Sequence, residues 1–165
     1  MWNNPKFLQR LEESGPNSNS NNDTKEEVAY VETPEDKENF DLVFKDVFLE
    51  CSLKHGIVED MVVCENTNPH LSGNVYIKFR DLDSAIAAQA DFQDRYFDSR
   101  PVFAEFCGVR SFEDAICKMF RSNECDRGGL CNFMHVKQPS QGLLQELLKS
   151  QAKWSAERGA QRQRV

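Results

Sequence analysis

The chain has 165 residues, the size of one soluble domain with room for a small appendage, and this excludes a large multidomain enzyme. Twenty Lys and Arg against 27 Asp and Glu give a formal net charge of -7, which excludes a general nucleic-acid binder held by an all-round positive surface. The charge is uneven: residues 1–40 carry 4 basic and 9 acidic side chains, residues 41–110 carry 7 and 12, and residues 111–165 carry 9 and 6. Six Cys do not read as a disulfide framework, because Cys51 and Cys64 fall in apolar-patterned segments and three others cluster with His135. A reducing, intracellular compartment is the expectation. The stretch MWNNPKFLQR lacks a long apolar run followed by a small-residue cleavage site, and no window approaches the roughly 20 apolar residues that cross a bilayer. The reading expects a soluble, unsecreted chain with no membrane partner.

Residues 14–24, SGPNSNSNNDT, hold almost nothing to bury and are rich in side chains that compete for backbone hydrogen bonds. Residues 1–27 are therefore expected as a disordered or loosely docked segment, with Phe7, Leu8 and Leu11 as a candidate docking turn. VAYV at 28–31 is the first expected strand. Thr33, Pro34 and Asp36 fit a helix start, and Phe40, Val43, Phe44, Val47, Phe48 and Cys51 recur at three- and four-residue intervals up to a stop at His55-Gly56. IVEDMVVC at 57–64 reads as a strand and ENTNPHLSG as a polar loop. In 74–79, Val75, Ile77 and Phe79 face one way and Asn74, Tyr76 and Lys78 the other. Residues 82–93 fit a second helix through Ala85, Ile86, Ala88, Ala90 and Phe92, with Asp83 near its positive end, and PVFAEF at 101–106 reads as a last strand. The order β-α-β-β-α-β across a domain at 28–110 predicts an α+β, ferredoxin-like sandwich of the type that includes the RNA recognition motif (RRM).

An RRM stacks bases on aromatics of its central strands. In this stretch Ser72 stands at the basic position and Asn74 at a stacking position, and the other central strand offers Ala29. Missing platforms worth about 1–3 kcal/mol each, on an acidic domain, predict a sheet that does not bind single strands.

Cys117, Cys125, Cys131 and His135 are spaced C-x7-C-x5-C-x3-H. Three thiolates and one imidazole suit one tetrahedral Zn2+ ion in a closed, structural site, and the intervening residues include Gly128-Gly129 for a tight turn with little to bury otherwise. A CCCH zinc finger with a leading helix is expected at 111–139. Lys118, Arg121, Arg127 and Lys137 interleave with Phe120 and Phe133 around the ligands, a mixture that suits unpaired bases. A knuckle that only braces its neighbour is the alternative. Residues 140–150 form an expected helix whose Leu143, Leu144, Leu147 and Leu148 return to the domain, and 151–165 an expected flexible basic tail in which Arg158, Arg162 and Arg164 touch phosphate or end in solvent. No nucleophile, base and orienting group cluster together, and His55 and His70 are isolated, so no enzyme is expected.

GNVYIKFRDLDSAIAAQADFQDRYF followed by CKMFRSNECDRGGLCNFMHVK resembles the small subunit of the U2 snRNP auxiliary factor, the heterodimer that recognises the AG end of introns. The similarity covers roughly 28–150. It implies that the central domain is a U2AF homology motif, a degenerate RRM that captures a tryptophan-containing peptide of the large subunit. The family's Arg-aromatic-Phe signature falls on Arg95, Tyr96 and Phe97. By that resemblance Arg95 and Phe97 wall a pocket between the two helices, Phe97 contacts the incoming tryptophan, and Asp46 and Glu50 face basic residues beside it. Tyr96 stands where the family often has a tryptophan, which implies a weaker reciprocal anchor. Leu130 replaces a phenylalanine beside the third ligand, the first of two family fingers has no counterpart, and an Arg/Ser-rich tail is missing. The implied function is a nuclear, non-enzymatic pre-mRNA splicing subunit that pairs with the large subunit and helps to recognise single-stranded pre-mRNA at the 3′ splice site. The alternative is a splicing-related interaction adaptor whose finger is purely structural.

Overall fold

Thr33 opens the first helix, α1 (Pro34–Lys54), through a reciprocal cap: its hydroxyl accepts from the Asp36 backbone N–H at 3.2 Å, and the Asp36 carboxylate accepts from the Thr33 N–H at 3.1 Å. Two N–H groups that a helix start leaves free are thereby satisfied. Phe40, Phe44, Phe48 and Cys51 form the inward stripe that their spacing predicts, and all four are buried. The helix stops where His55 N–H bonds Cys51 O at 3.0 Å. Gly56 follows at φ +152°, passing so close to the second helix that a Cβ would sit 2.1 Å from Ser84 Oγ.

The computed structural model describes residues 32–97 and 99–162. The segment 1–27, the strand expected at 28–31 and the last three residues of the expected tail lie outside them. After α1 come β1 (Val58–Cys64), β2 (Val75–Phe79), α2 (Leu82–Phe92), a hairpin of β3 (Tyr96–Phe97) and β4 (Arg100–Pro101), α3 (Phe112–Ala115), α4 (Lys118–Arg121), a 3-10 turn at Gly128–Leu130, β5 (Val136–Lys137) and α5 (Leu143–Arg162). The order among the described residues is β2-β1-β5, both pairings antiparallel, with Val63 flanked by Val75 on one side and Lys137 on the other.

Both faces of this sheet are covered. Met61 and Val63, with Val75, Ile77 and Phe79, pack against the α1 stripe and Leu147. Val62, Cys64 and Tyr76 pack against Phe112, Ile116, Met134 and Val136 of the metal-binding segment. The alternation expected for β2 is thus observed, and the unbroken apolar run Met61–Cys64 has a physical reason, since a strand buried on both faces has no wet side to make polar. Tyr76 meets Phe112 edge-on, ring centroids 6.3 Å apart, so the sheet face that an RRM offers to bases is filled from within. The fold is α+β and RRM-like, with a zinc-finger-type module laid across that face.

Three expectations need correction. Of the strand expected at 101–106, only Pro101 lies in a ladder, opposite Tyr96. Farther on, Gln89 of α2 and Gln93 just past its end both donate to Ala104 O, at 3.2 and 2.6 Å, and Phe103 and Phe106 are exposed. Side-chain amides satisfy that carbonyl where the ferredoxin-like order would place a first strand, and 28–31 is outside the described residues. The second helix, expected over 82–93, ends at Phe92, and of the apolar residues that marked it Ala88 is buried and Ile86 is exposed.

The third correction concerns the C-terminus. In place of a helix at 140–150 and a flexible tail, α5 continues to Arg162. Leu143, Leu144, Leu147 and Leu148 pack on the α1 side of the core, and one turn later Gln151 accepts from Val58 N–H and donates to Val58 O, both at 2.8 Å. The buried amide gives the helix a reason to continue past its leucines. Removing it strands two buried backbone groups, so Gln151→Ala should destabilise the fold by about 1–3 kcal/mol, read as a lower urea midpoint with unchanged slope.

Candidate metal centre and binding surfaces

The four predicted ligands converge. Ala115 O accepts from Met134 N–H and Met134 O accepts from Cys117 N–H, both at 2.9 Å, which draws the Cys117 and His135 strands side by side. The Gly128–Leu130 turn closes with Cys131 N–H on Gly128 O and brings the third thiol in. Donor atoms of Cys117, Cys125, Cys131 and His135 lie within 4.8 Å of one another, and the Cys117 and Cys131 sulfurs are 3.8 Å apart. Zinc–sulfur bonds of about 2.3 Å at the tetrahedral angle put two sulfurs about 3.8 Å apart. His135 Nε2 is buried and has no hydrogen-bond partner, the state of a donor atom aimed at an ion. Burial, helped by the positive charge of Arg127, holds the imidazole below its ordinary pKa and thus in its neutral, ligating form. The donor set therefore fits a metal ion.

The loop after β1, which reads in the sequence only as a polar loop, holds this centre. Asn66 Nδ2 donates to Cys131 O and Phe133 O, each at 3.0 Å, while its Oδ1 accepts from His135 N–H at 2.8 Å. Asn68 Nδ2 donates to Cys131 O at 2.6 Å. Both side chains are buried. Glu65 N–H reaches His135 O, and Thr67 N–H reaches Gly129 O. Gly129 is required at this approach, because a Cβ would lie 2.3 Å from Thr67 Oγ1. Two asparagines just after the apolar run Met61–Cys64 are the sequence signal; their partners on the ligand loop lie more than sixty residues away.

The expected aromatic and basic residues are distributed unevenly around the metal ligands. Lys118 and Arg127 are exposed, and Phe133 is exposed beside Cys131. Phe120 stacks on His135, centroids 3.9 Å apart at 12°, so one of its faces is taken. Arg121 forms a two-pronged pair with Glu113 at 2.9 and 3.1 Å. Lys137 is turned inward, ion-paired with Glu32 and 5.0 Å above the Phe40 ring. Leu130 is exposed at the finger's turn.

On the other side of the domain, Arg95 joins α1 to α2. Its Nη1 and Nη2 donate to the two Glu50 oxygens at 2.6 and 3.2 Å, and Lys54 Nζ donates to Glu50 at 2.7 Å. The Arg95 hydrogen bond holds the Glu50 carboxyl below its ordinary value, against an opposing effect of partial burial. Asp46 is exposed one turn earlier on α1. Tyr96 and Phe97 form one strand of the hairpin, 72% and 46% exposed, and Ser99 turns it at φ 61°. The structure brings Glu50 and Arg95 into contact and leaves Tyr96 and Phe97 open to solvent.

No family model matches the chain. It is 47% identical over 119 residues, 72% of its length, to the splicing factor U2AF 23 kDa subunit of Schizosaccharomyces pombe, covering 55% of that protein. The chain belongs to the U2AF small-subunit family. It is 44% identical over 137 residues, 83% of its length, to the U2af 38 kDa subunit of Drosophila melanogaster, covering 52% of it. Against the U2AF 26 kDa subunit of Rattus norvegicus the identity is 41% over 118 residues, 72% of this chain and 54% of the relative. The chain thus spans about half the length of the U2AF small subunits it matches.

Asn66→Ala removes a hydrogen bond from the His135 N–H, Cys131 O and Phe133 O groups of the metal loop; the expected cost is roughly 2–3 kcal/mol, with faster loss of metal to a chelator, both measurable on the metal-loaded chain. The lowered Glu50 pKa gives stability that is fully present above the ordinary 4.5 and is lost as pH falls through the folded value. Glu50→Gln should accordingly flatten the fall in melting temperature on acidification from about pH 5 to about pH 3.

Proposed function

We propose that this chain is a splicing subunit of the U2AF small-subunit type, non-enzymatic and nuclear, which pairs with the large subunit by capturing a tryptophan-containing peptide. The observation that carries this reading is the exposed Tyr96–Phe97 pair held beside the Arg95–Glu50 ion pair, at the family's Arg-aromatic-Phe signature. Phe97 supplies an apolar floor, Arg95 a cationic plate beside it, and Asp46 a free-standing acid for basic residues next to the tryptophan. In this reading Zn2+ occupies the Cys117, Cys125, Cys131 and His135 donors and orders the finger. Lys118, Arg127 and the exposed face of Phe133 meet single-stranded pre-mRNA at the 3′ splice site, while Phe120, Arg121 and Lys137 reach that strand only by giving up the internal contacts described above. Covering of the sheet by Phe112 and its neighbours supports a division of labour in which the sheet itself takes no RNA.

Calorimetry against the large subunit's tryptophan peptide tests the first half. Binding that weakens at least about tenfold when the peptide's tryptophan becomes alanine supports the reading; a folded, metal-loaded chain that ignores the peptide overturns it. Phe97→Ala should abolish that binding and leave metal uptake intact.

The bonding of Asn66 and Asn68 to the ligand loop favours a second reading of the finger, as a brace for the domain. Phe133→Ala separates the two. Loss of about 1–3 kcal/mol in affinity for a single strand ending in AG supports base stacking, and unchanged affinity supports the brace.

A further inference from the structure

We propose that Asp91 and His55 are positioning residues for Arg95, fixing the guanidinium as a flat plate for the partner's aromatic ring; this rests on the peptide-binding reading above. Arg95 turns both terminal nitrogens to Glu50, at 2.6 and 3.2 Å. A pair to one carboxylate sets the plane of the guanidinium but leaves it free to swing with the Glu50 side chain. Two further contacts remove that freedom. Nη1 also lies 3.4 Å from Asp91 Oδ2, one helical turn earlier, and the Arg95 Cζ sits 5.1 Å from the centre of the Phe92 ring. The guanidinium is therefore gripped from α1 by Glu50, from α2 by Asp91, and from beneath by Phe92.

Asp91 is itself steered. The same Oδ2 that faces Arg95 lies 3.3 Å from His55 Nε2. The His55 side chain is 7% exposed, makes no hydrogen bond through Nε2, and stands edge-on to Phe92 with centroids 5.7 Å apart. His55 also caps α1, its N–H on Cys51 O, so its backbone is fixed by the helix that carries Glu50. A single carboxylate oxygen thus lies between the imidazole at the end of α1 and the guanidinium just past the end of α2. With its donors directed at Glu50 and Asp91 and one face on Phe92, Arg95 offers a partner its remaining face, and stacking on an aromatic ring is the interaction that a planar cation makes in that orientation. Stacking depends on tilt and height, so whatever fixes the plate sets the affinity.

The test uses the full, zinc-loaded chain, the large subunit's tryptophan peptide, and isotope-edited NMR of the Arg95 guanidinium, whose restrained rotation gives separate terminal-nitrogen signals. Asp91→Asn is expected to weaken peptide binding about three- to tenfold and to merge those signals. Asp91→Glu should restore much of both. His55→Phe keeps a ring against Phe92 but removes the nitrogen, and is expected to act in the same direction as Asp91→Asn. Weaker binding with an unchanged Arg95 spectrum would overturn the proposal, because the effect would then be structural; unchanged binding and spectrum in both Asp91→Asn and His55→Phe would overturn it too. If the unmodified chain ignores the peptide, the peptide-binding reading fails by itself, while merging of the Arg95 signals in Asp91→Asn would still support the positioning.

Discussion

Four successive residues of β1, Met61 to Cys64, are buried, and a strand can be so only if something covers each of its faces. On one face the cover is α1 with its three phenylalanines, reinforced by Leu147 of α5. On the other it is the segment from Phe112 to Val136, which contains the four metal ligands and little apolar material of its own. The double covering of one short strand therefore makes the RRM-like domain and the finger parts of a single core.

That union changes what the metal does. In an isolated finger a bound ion orders only the loop that carries the ligands. Here Cys131 and His135 are also held by Asn66 and Asn68, and β5 adds to the edge of β1 immediately after His135. A metal ion held there would order the ligand loop and the β5 edge of the sheet together, and part of its binding free energy would become stability of the domain. The Tyr96–Pro101 hairpin stands apart from this, near the ends of α1 and α2, where charge pairing around Arg95 replaces apolar packing as the organising interaction.

Local rules account for much that was legible in the sequence. The Thr33 cap, the Phe40-Phe44-Phe48 stripe and the alternation of Val75, Ile77 and Phe79 each depend on neighbours within a few residues, and each is where the pattern put it. The metal ligands were legible because the choice and spacing of donor types are restrictive. What escaped depends on distant partners. Asn66 looks like any loop residue until its carbonyl meets the His135 amide, and Lys137 looks like a surface cation until Glu32 and Phe40 claim it. The continuation of α5 escaped for the same reason, since residues 151–162 lack a leucine stripe like that at 143–148 and the partner of Gln151 is the distant backbone of Val58. PVFAEF reads as a strand by composition, yet a strand needs a neighbour, and among the described residues the last backbone partner is Arg95 O, 2.8 Å from Val102 N–H.

Gln151 has one more consequence. A primary amide can present an N–H and a C=O side by side, so its bidentate contact with Val58 N–H and O occupies both backbone groups that this residue turns to the edge. It sits on the margin of β1 that β5, only two residues long, leaves bare. An open margin of that kind is a template for pairing with the strand of another molecule. By occupying it with a side chain mounted on a helix, the protein leaves Val58 with no free backbone hydrogen bond to offer there.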